Sequence, residues 1–596
     1  MSQDPGLPSA RRLPLARTAL IWLLLCALLL LIGGRNILAG QFPDPDDTLR
    51  MVQLRDLLGG QGWFDTTQYR IDPPGGVPMH WSRLVDIPLA LVVLALQPLL
   101  GAAAAQSTAA VVVPLLTLGC LLGLVGWIAS RRFDDEVTGL ACLACAIMPA
   151  TVAKLQPLRI DHHGWQVVTV LLAAATLFAR NPVRGARIAG LSLAAGLTIS
   201  LEVLPFTAAF GGVLALSWLR DPAQPNRLVP FLTALAGGLL LLFAATRGLA
   251  ALTPWCDAIA PAHLAFFAIV AAGSWLVARA PTPPRWALVG LLGATGVAGL
   301  ATFSALSPQC LSAPFGDLDP LVRQYWYRLV AEGLPIWQQT PREIVGAMPQ
   351  LAAAALALAL LCRTSQDEAR RLWVEYALLF LAACAAGLLV WRSMALAGAL
   401  AAVPLGWLIA RVLGRLRERA ASIVPRRTAR LAIVAAAAVL VGGTAWLFAP
   451  SALARKPAAV ERHPAVRESR CELRRYVPLL DRFAPVTIFA PLDIGPSLIE
   501  RTHHATVATS HHRAQAAMRD VITGFMADES RARAIIARHD AGMVVVCTDL
   551  VEPQIYAADA PHGLMARLLA GQAPEWLEPV DIDAPPTLKV WRVRGS

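Results

Sequence analysis

Long apolar runs alternate with short polar ones along most of the chain, and the interruptions are rich in arginine. Windows long enough to cross a bilayer occur at roughly 18–38, 107–129, 137–155, 164–179, 187–203, 204–219, 229–246, 262–279, 286–306, 345–362, 373–391, 394–411 and 430–449, about thirteen spans. Segment 87–100 is apolar but short and carries Pro88 and Pro98, so it reads as an interfacial or re-entrant piece. Past residue 450 the apolar runs shrink to strand length, as in Val486-Thr487-Ile488-Phe489-Ala490 and Met543-Val544-Val545-Val546-Cys547. Helical patterns at 513–526 and 529–538 lie between them. The pattern therefore predicts a polytopic α-helical membrane protein over 1–449, followed by an extracytoplasmic α/β domain over 450–596.

The arginines decide the topology. If 87–100 does not cross, Arg131-Arg132, Arg180, Arg184, Arg187, Arg220, Arg227, Arg279, Arg285, Arg363, Arg370, Arg371 and the 411–430 stretch all face the cytoplasm. If it crosses, most of them face the wrong side. The first reading exports loops 41–86, 156–164 and 307–342 together, and an odd number of spans exports the tail. Arg11, Arg12 and Arg17 precede the first span, and Ile32-Gly33-Gly34-Arg35 offers no small-residue cleavage site, so that span is expected to be retained in an inner, cytoplasmic membrane.

Composition agrees. A chain of 596 residues that is 56% hydrophobic and 15% charged, with mean hydropathy +0.54, lies outside the soluble globular class. The net charge of +12 resides in the topology clusters, which excludes a nucleic-acid partner. Cys471 and Cys547 fall in the exported tail, and Cys256 and Cys310 in outer loops; an oxidising compartment permits both pairs.

Two outer loops carry candidate chemistry. Asp44-Pro45-Asp46-Asp47 crowds three carboxylates just past the first span, an arrangement that a cation relieves. The alternative is a helix cap, with Asp46 or Asp47 capping a helix that starts near Thr48. Arg159-Ile160-Asp161-His162-His163-Gly164 places an acid and two imidazoles at the mouth of a span, where such groups are costly to bury. Mixed oxygen and imidazole ligands suit a divalent cation, Mn²⁺ best, with Mg²⁺ or Zn²⁺ also possible. The alternative here is a histidine pair that anchors the span at the interface.

These motifs resemble those of the catalytic subunit of oligosaccharyltransferase. Asp44-Pro45, with Arg50 following, is similar to the family's first-loop motif. Asp161-His162-His163 resembles its second acidic motif in archaeal form, and the 73–81 stretch its Pro-Gly-His segment. Leu492-Asp493-Ile494-Gly495, with Ile499, Arg501 and Thr502, looks like a worn WWDYG motif. The resemblance implies a metal-assisted, inverting, polyprenyl-dependent glycosyltransferase that moves a sugar from a polyprenyl phosphate or pyrophosphate to an extracytoplasmic lipid, glycan or protein. Its metal would be held by Asp44 or Asp46 with Asp161 and His163, and either Asp46 or Asp47 would serve as the base. His80, Arg83, His162 and Arg392 would contact phosphate, and Glu332, Asp493 and Arg501 would lie on the acceptor side.

One departure bears on the acceptor. Phe489-Ala490-Pro491-Leu492 stands where the family has a tandem tryptophan, so the acceptor is expected to be a hydroxyl rather than a sequon asparagine. His503-His504 and His511-His512-Arg513 have no role to carry over. Cys142 and Cys145 read as packing positions within a span. Glu202, near an outer helix end, reads as a group facing a cavity or an arginine. The rival class is a transport, ligase or non-catalytic component of a cell-envelope polysaccharide pathway. An impermeant thiol reagent on intact cells is expected to label a cysteine introduced in the tail and none in the arginine-rich loops. Labelling of the tail only after permeabilisation would defeat the topology.

Overall fold

A computed structural model describes residues 15–420 and 471–595, apart from 222–226, 249–251, 254, 281–282, 313–314 and 317. The expected window 430–449 lies outside the described residues. The membrane part contains α1 (Leu15–Ala39), α2 (Pro45–Leu58), α3 (Asp86–Leu100), α4 (Ala102–Ser130), α5 (Asp135–Ala146), α6 (Pro149–Val152), α7 (His163–Ala175) and α8 (Pro182–Ile199). It continues with α9 (Leu204–Arg220), α10 (Leu228–Thr246), α11 (Pro261–Arg279), α12 (Arg285–Leu306), α13 (Pro320–Tyr325), α14 (Pro341–Thr364), α15 (Asp367–Leu389) and α16 (Met394–Ala420).

Nine helices among the described residues are long and apolar enough to cross a membrane: α1, α4, α9 with the turn before it, α10, α11, α12, α14, α15 and α16. The windows 137–155, 164–179 and 187–203 fold as something shorter or less apolar. The first breaks at Met148-Pro149 into α5 and α6, since proline cannot continue the hydrogen-bond ladder. The second is the 13-residue α7 with a 3₁₀ turn, and the third is the 18-residue α8. Helix α3, 15 residues long, packs against α4 after a turn at Gly101, whose φ of +76° favours glycine.

The C-terminal domain is a five-stranded sheet in the order β4-β3-β5-β7-β6, from β3 (Thr487–Phe489), β4 (Ala505–Thr506), β5 (Ala541–Cys547), β6 (Leu577–Pro579) and β7 (Leu588–Val593). Strands β4, β3 and β5 are parallel, and β7 runs antiparallel between β5 and β6. Alternation along β5 sends Val544 and Val546 into one core and Met543, Val545 and Cys547 into another. Both permitted disulfides form, Cys256–Cys310 and Cys471–Cys547.

The first outer loop is built into this domain. It carries a hairpin of β1 (Thr67–Gln68) and β2 (Val77–Pro78), and Ile71 adds a parallel bridge to Thr506 at the sheet's β4 edge. Leu49, Val52, Ile71, Val77, Met79 and Trp81 share a core with Phe489, Leu492 and Met518. Arg55 donates to the Glu500 carboxylate at 2.8 Å and to its carbonyl at 2.9 Å. Helix α2 is consequently buried from Asp47 to Leu54, between α3 and α4 on one side and the tail domain on the other.

Candidate active site

Helix α2 starts earlier than expected. Its N-cap is Asp44, not Asp46 or Asp47: the Asp44 backbone is extended, Oδ1 accepts the Asp46 N–H at 3.0 Å, and Pro45 takes the first helical position. This start turns Asp47 and Arg50 inward, one helical turn apart. Loop 156–164 lies against them, held by the Leu158 N–H on the Ala110 carbonyl of α4 at 2.9 Å. Leu158 has φ +70°, a strained conformation for a bulky residue, and it delivers Arg159 and Asp161 to the α2 carboxylates.

Asp161 is the hub. Its N–H donates to Asp47 Oδ1 at 2.8 Å, and its carboxylate faces Arg50 at 3.3 Å, His162 Nδ1 at 2.5 Å and His163 Nδ1 at 2.8 Å. Arg50, with no exposure, also donates to Asp86 at 3.0 Å and lies over the Trp81 ring. Arg159 stands 3.1 Å from both Asp44 and Asp47.

Titration follows from these contacts. Burial opposes ionisation of Asp161, but His162 and His163 hold its carboxyl well below the usual range. Burial also opposes the charged form of His162, which Asp161 nevertheless raises. Burial, with Lys154 and His162 nearby, drops His163 to about 4, so its ring is neutral at physiological pH. Burial pushes Asp47 up against the pull of Arg159.

A second ring of charge surrounds His163. Its Nε2 is 3.9 Å from Glu202 and 3.8 Å from Glu332. Arg392 faces Glu202 at 2.7 Å and Glu332 at 3.7 Å, while Lys154 takes Glu332 at 2.5 Å. Gln166 donates to Glu202 at 3.0 Å. His163, Gln166, Glu202, Arg392 and Leu396 line a small cavity.

The donor set fits a divalent cation. Asp161, His162 and His163 offer ligand atoms within 4.8 Å of one another. Asp47 Oδ2, Asp161 Oδ2 and both His163 ring nitrogens are buried with no hydrogen bond. A neutral imidazole beside two carboxylates suits such an ion.

No protein-family model and no curated protein sequence matches the chain. Solved structures do. The archaeal oligosaccharyltransferase AglB from Archaeoglobus fulgidus, in complex with an inhibitory peptide and a dolichol-phosphate, aligns at TM-score 0.66 and 12% identity, over 94% of this chain and 72% of that one. The Archaeoglobus fulgidus enzyme tethered to an acceptor peptide containing the NVT sequon aligns at 0.60 and 13%, over 97% and 74%. Its complex with Zn and sulfate aligns at 0.57 and 13%, over 96% and 73%. The chain has an oligosaccharyltransferase-like fold.

Within that fold the expected residues are redistributed. Asp47, rather than Asp44 or Asp46, meets Asp161; Asp44 is spent on the cap and Arg159, and Asp46 faces His511 of the tail at 3.1 Å. Glu332 and Arg392 join the centre. Arg83 does not: it is buried on Asp86 and on the Trp63 and Asp65 carbonyls. His80 lies in a neighbouring cluster with His512 and Asp257, where Arg513 holds Asp257 through both oxygens. Asp493 is exposed on a 3₁₀ turn, close enough to Asp44 for the two to repel, and Glu552 holds its backbone N–H at 3.0 Å. Arg501 pairs with Glu500 at the α2 interface, away from the acidic loops.

Sequence reasoning assigned no role to Arg159, Lys154, Gln166, Asp86 or His511. Arg159 lay inside the quoted motif and His511 inside the His511-His512-Arg513 run; the other three carried no local signal. Arg50→Met is expected to leave Asp86 and Asp161 buried and unpaired, destabilising the fold by about 3–5 kcal/mol. Thermal melting of the purified protein in detergent would read this, and an unchanged Tm would mean that the three groups do not act as one network.

Proposed function

We propose that the chain is an inverting, polyprenyl-dependent glycosyltransferase of the inner membrane, with its tail domain on the extracytoplasmic side. The observation that carries this is the convergence of Asp47, Asp161 and His163 with Arg392 and Glu332, beside a small cavity, in an oligosaccharyltransferase-like fold. The dolichol-phosphate, peptide, and zinc and sulfate of the solved neighbours support a lipid-linked donor, an outer acceptor and a divalent cation here.

Asp47, Asp161 and His163 would hold the ion, Mn²⁺ or Mg²⁺ by the reading of the ligand types. Bound there, it would supply Lewis-acid stabilisation to a leaving phosphate. His162, whose charged form Asp161 favours against burial, and Arg392 would offer donors to that phosphate. The prenyl chain would lie among the apolar helices and supply most of the donor's affinity. The acceptor's proton passes to a first-loop carboxylate. Asp46, whose side chain is 33% exposed, is in reach of an incoming ligand, whereas Asp47 is sealed.

Asp161→Asn keeps the shape and removes a charge, so turnover of a polyprenyl-phosphate-linked hexose is expected to fall at least about 100-fold, with donor affinity less affected. EDTA should silence the unmodified protein and Mn²⁺ restore it. Near-normal, chelator-resistant turnover by the variant would remove the shared metal site.

The acceptor reading rests on the residue before Asp493. Leu492 is 1% exposed and buried in the tail core, so no aromatic wall stands beside this carboxylate on that side. A site lacking the groups that bond a sequon hydroxyl loses its discrimination. Peptides carrying Asn-X-Ser/Thr are expected to receive no sugar, while hydroxyl acceptors do. Glycopeptide detected by mass spectrometry would reverse this.

A further inference from the structure

The tail domain reaches the acidic site through one buried side chain. His511 is 2% exposed, and its buried Nε2 lies 3.1 Å from Asp46 Oδ1 but makes no hydrogen bond of good geometry, leaving that nitrogen facing the carboxylate. Its Nδ1 lies 2.9 Å from the hydroxyl of Thr509, which is fully buried. Trp81 meets the ring edge-on at 5.2 Å, and the same indole carries the Arg50 guanidinium. With the Thr509 hydroxyl at Nδ1, the other ring nitrogen is left to the Asp46 carboxylate, which an imidazole N–H there can serve as donor.

Of Asp44, Asp46 and Asp47, Asp46 has the most exposed side chain. Asp44 serves the helix cap and Arg159, and Asp47 serves the Asp161 N–H and Arg159. Asp44 and Arg392 bear on Asp46 by charge, and the His511 ring faces it. Asp46 therefore stands between the arginine assigned to the donor phosphate and the tail domain. An acceptor approaching from outside meets it there.

We propose that His511 is a positioning residue: it holds Oδ1 of Asp46 so that Oδ2 is presented to the acceptor hydroxyl, and it makes the C-terminal domain part of the acceptor site. This rests on the glycosyl-transfer reading above. Orientation of the acceptor is where a group of this kind acts, because misplacing a reactant by about 1 Å costs on the order of 100-fold in rate. The tail loop that carries His511 is tied to the first loop by the Thr506–Arg70 and Asp72–Thr506 backbone bonds. The histidine and the carboxylate thus move as one body.

The experiment uses the full chain in lipid nanodiscs, with polyprenyl-phosphate-linked hexoses as donors and glycerol as the hydroxyl probe. His511→Phe and Asp46→Asn are each expected to lower kcat for glycosyl-glycerol formation by about 10- to 100-fold. The donor KM should stay within about twofold, since neither group lies on the prenyl path. The double variant should be no slower than the worse single one, because the two act as a unit. His511→Gln retains an N–H donor at similar reach and should recover to within about fivefold of the unmodified protein. Thr509→Val, a smaller change, should lose activity in the same direction.

His511→Phe within twofold of the unmodified protein overturns the assignment. So does a Gln variant no better than Phe, or a double variant whose losses multiply. An unmodified protein that releases hexose from none of the donors overturns the glycosyl-transfer reading itself, and this assignment with it.

Discussion

Burying Asp47, Asp86 and Asp161 together, away from water, is the demand that the surrounding structure is arranged to meet. Each would be prohibitive alone, because desolvating an unpaired carboxylate costs several kcal/mol or more. Arg50 meets Asp86 and Asp161 with one planar guanidinium, and Arg159 spans Asp44 and Asp47. A lysine could not bridge two carboxylates in this way, since its charge is a point rather than a fork. The arrangement still leaves Asp47 Oδ2, Asp161 Oδ2 and the His163 nitrogens without hydrogen bonds.

The same demand explains the architecture around it. Helix α2 can bury charge on several sides because it is enclosed by membrane helices and by the tail domain, which contributes Leu492, Ile499 and Met518 to the core that covers it. The tail is therefore part of the wall around the acidic centre. The clamp of Arg513 on Asp257, in a loop pinned by the Cys256–Cys310 disulfide, fastens a second edge of the tail to the membrane part. The pairing of Glu202 and Glu332 with Arg392 and Lys154 extends the charged lining toward the cavity between helices. Cations in that lining are already oriented by carboxylates, so an anion bound there needs little reorganisation.

Much of this was legible in the chain. Hydropathy and arginine placement mark the membrane class and a tail of different character, because apolar periodicity is a local property that survives without knowledge of partners. The two loop motifs at Asp44 to Asp47 and at Asp161 to His163 stand out for the same reason: like charges crowded within a few residues need a partner wherever they sit. The sequence also permitted both disulfides that the structure contains. Its helix windows were less reliable where Pro149 broke one apolar run and where α7 and α8 proved shorter or less apolar than the nine spanning helices.

Which carboxylate does what was decided only by tertiary structure. A three-residue shift in the start of α2, from Thr48 to Pro45 with Asp44 as its cap, turns Asp47 toward Asp161 and Asp46 toward His511. Composition cannot carry that information, since three adjacent aspartates are chemically equivalent until a helix gives them different directions. Glu332, Arg392, Lys154 and His511 come from loops and helix ends that are far apart in the chain, and their ion pairs depend on where those ends meet. The sequence alone thus determined the membrane class and the ligand types. Which of those groups meet came from long-range packing, because charge acts across space and the chain order does not record those distances.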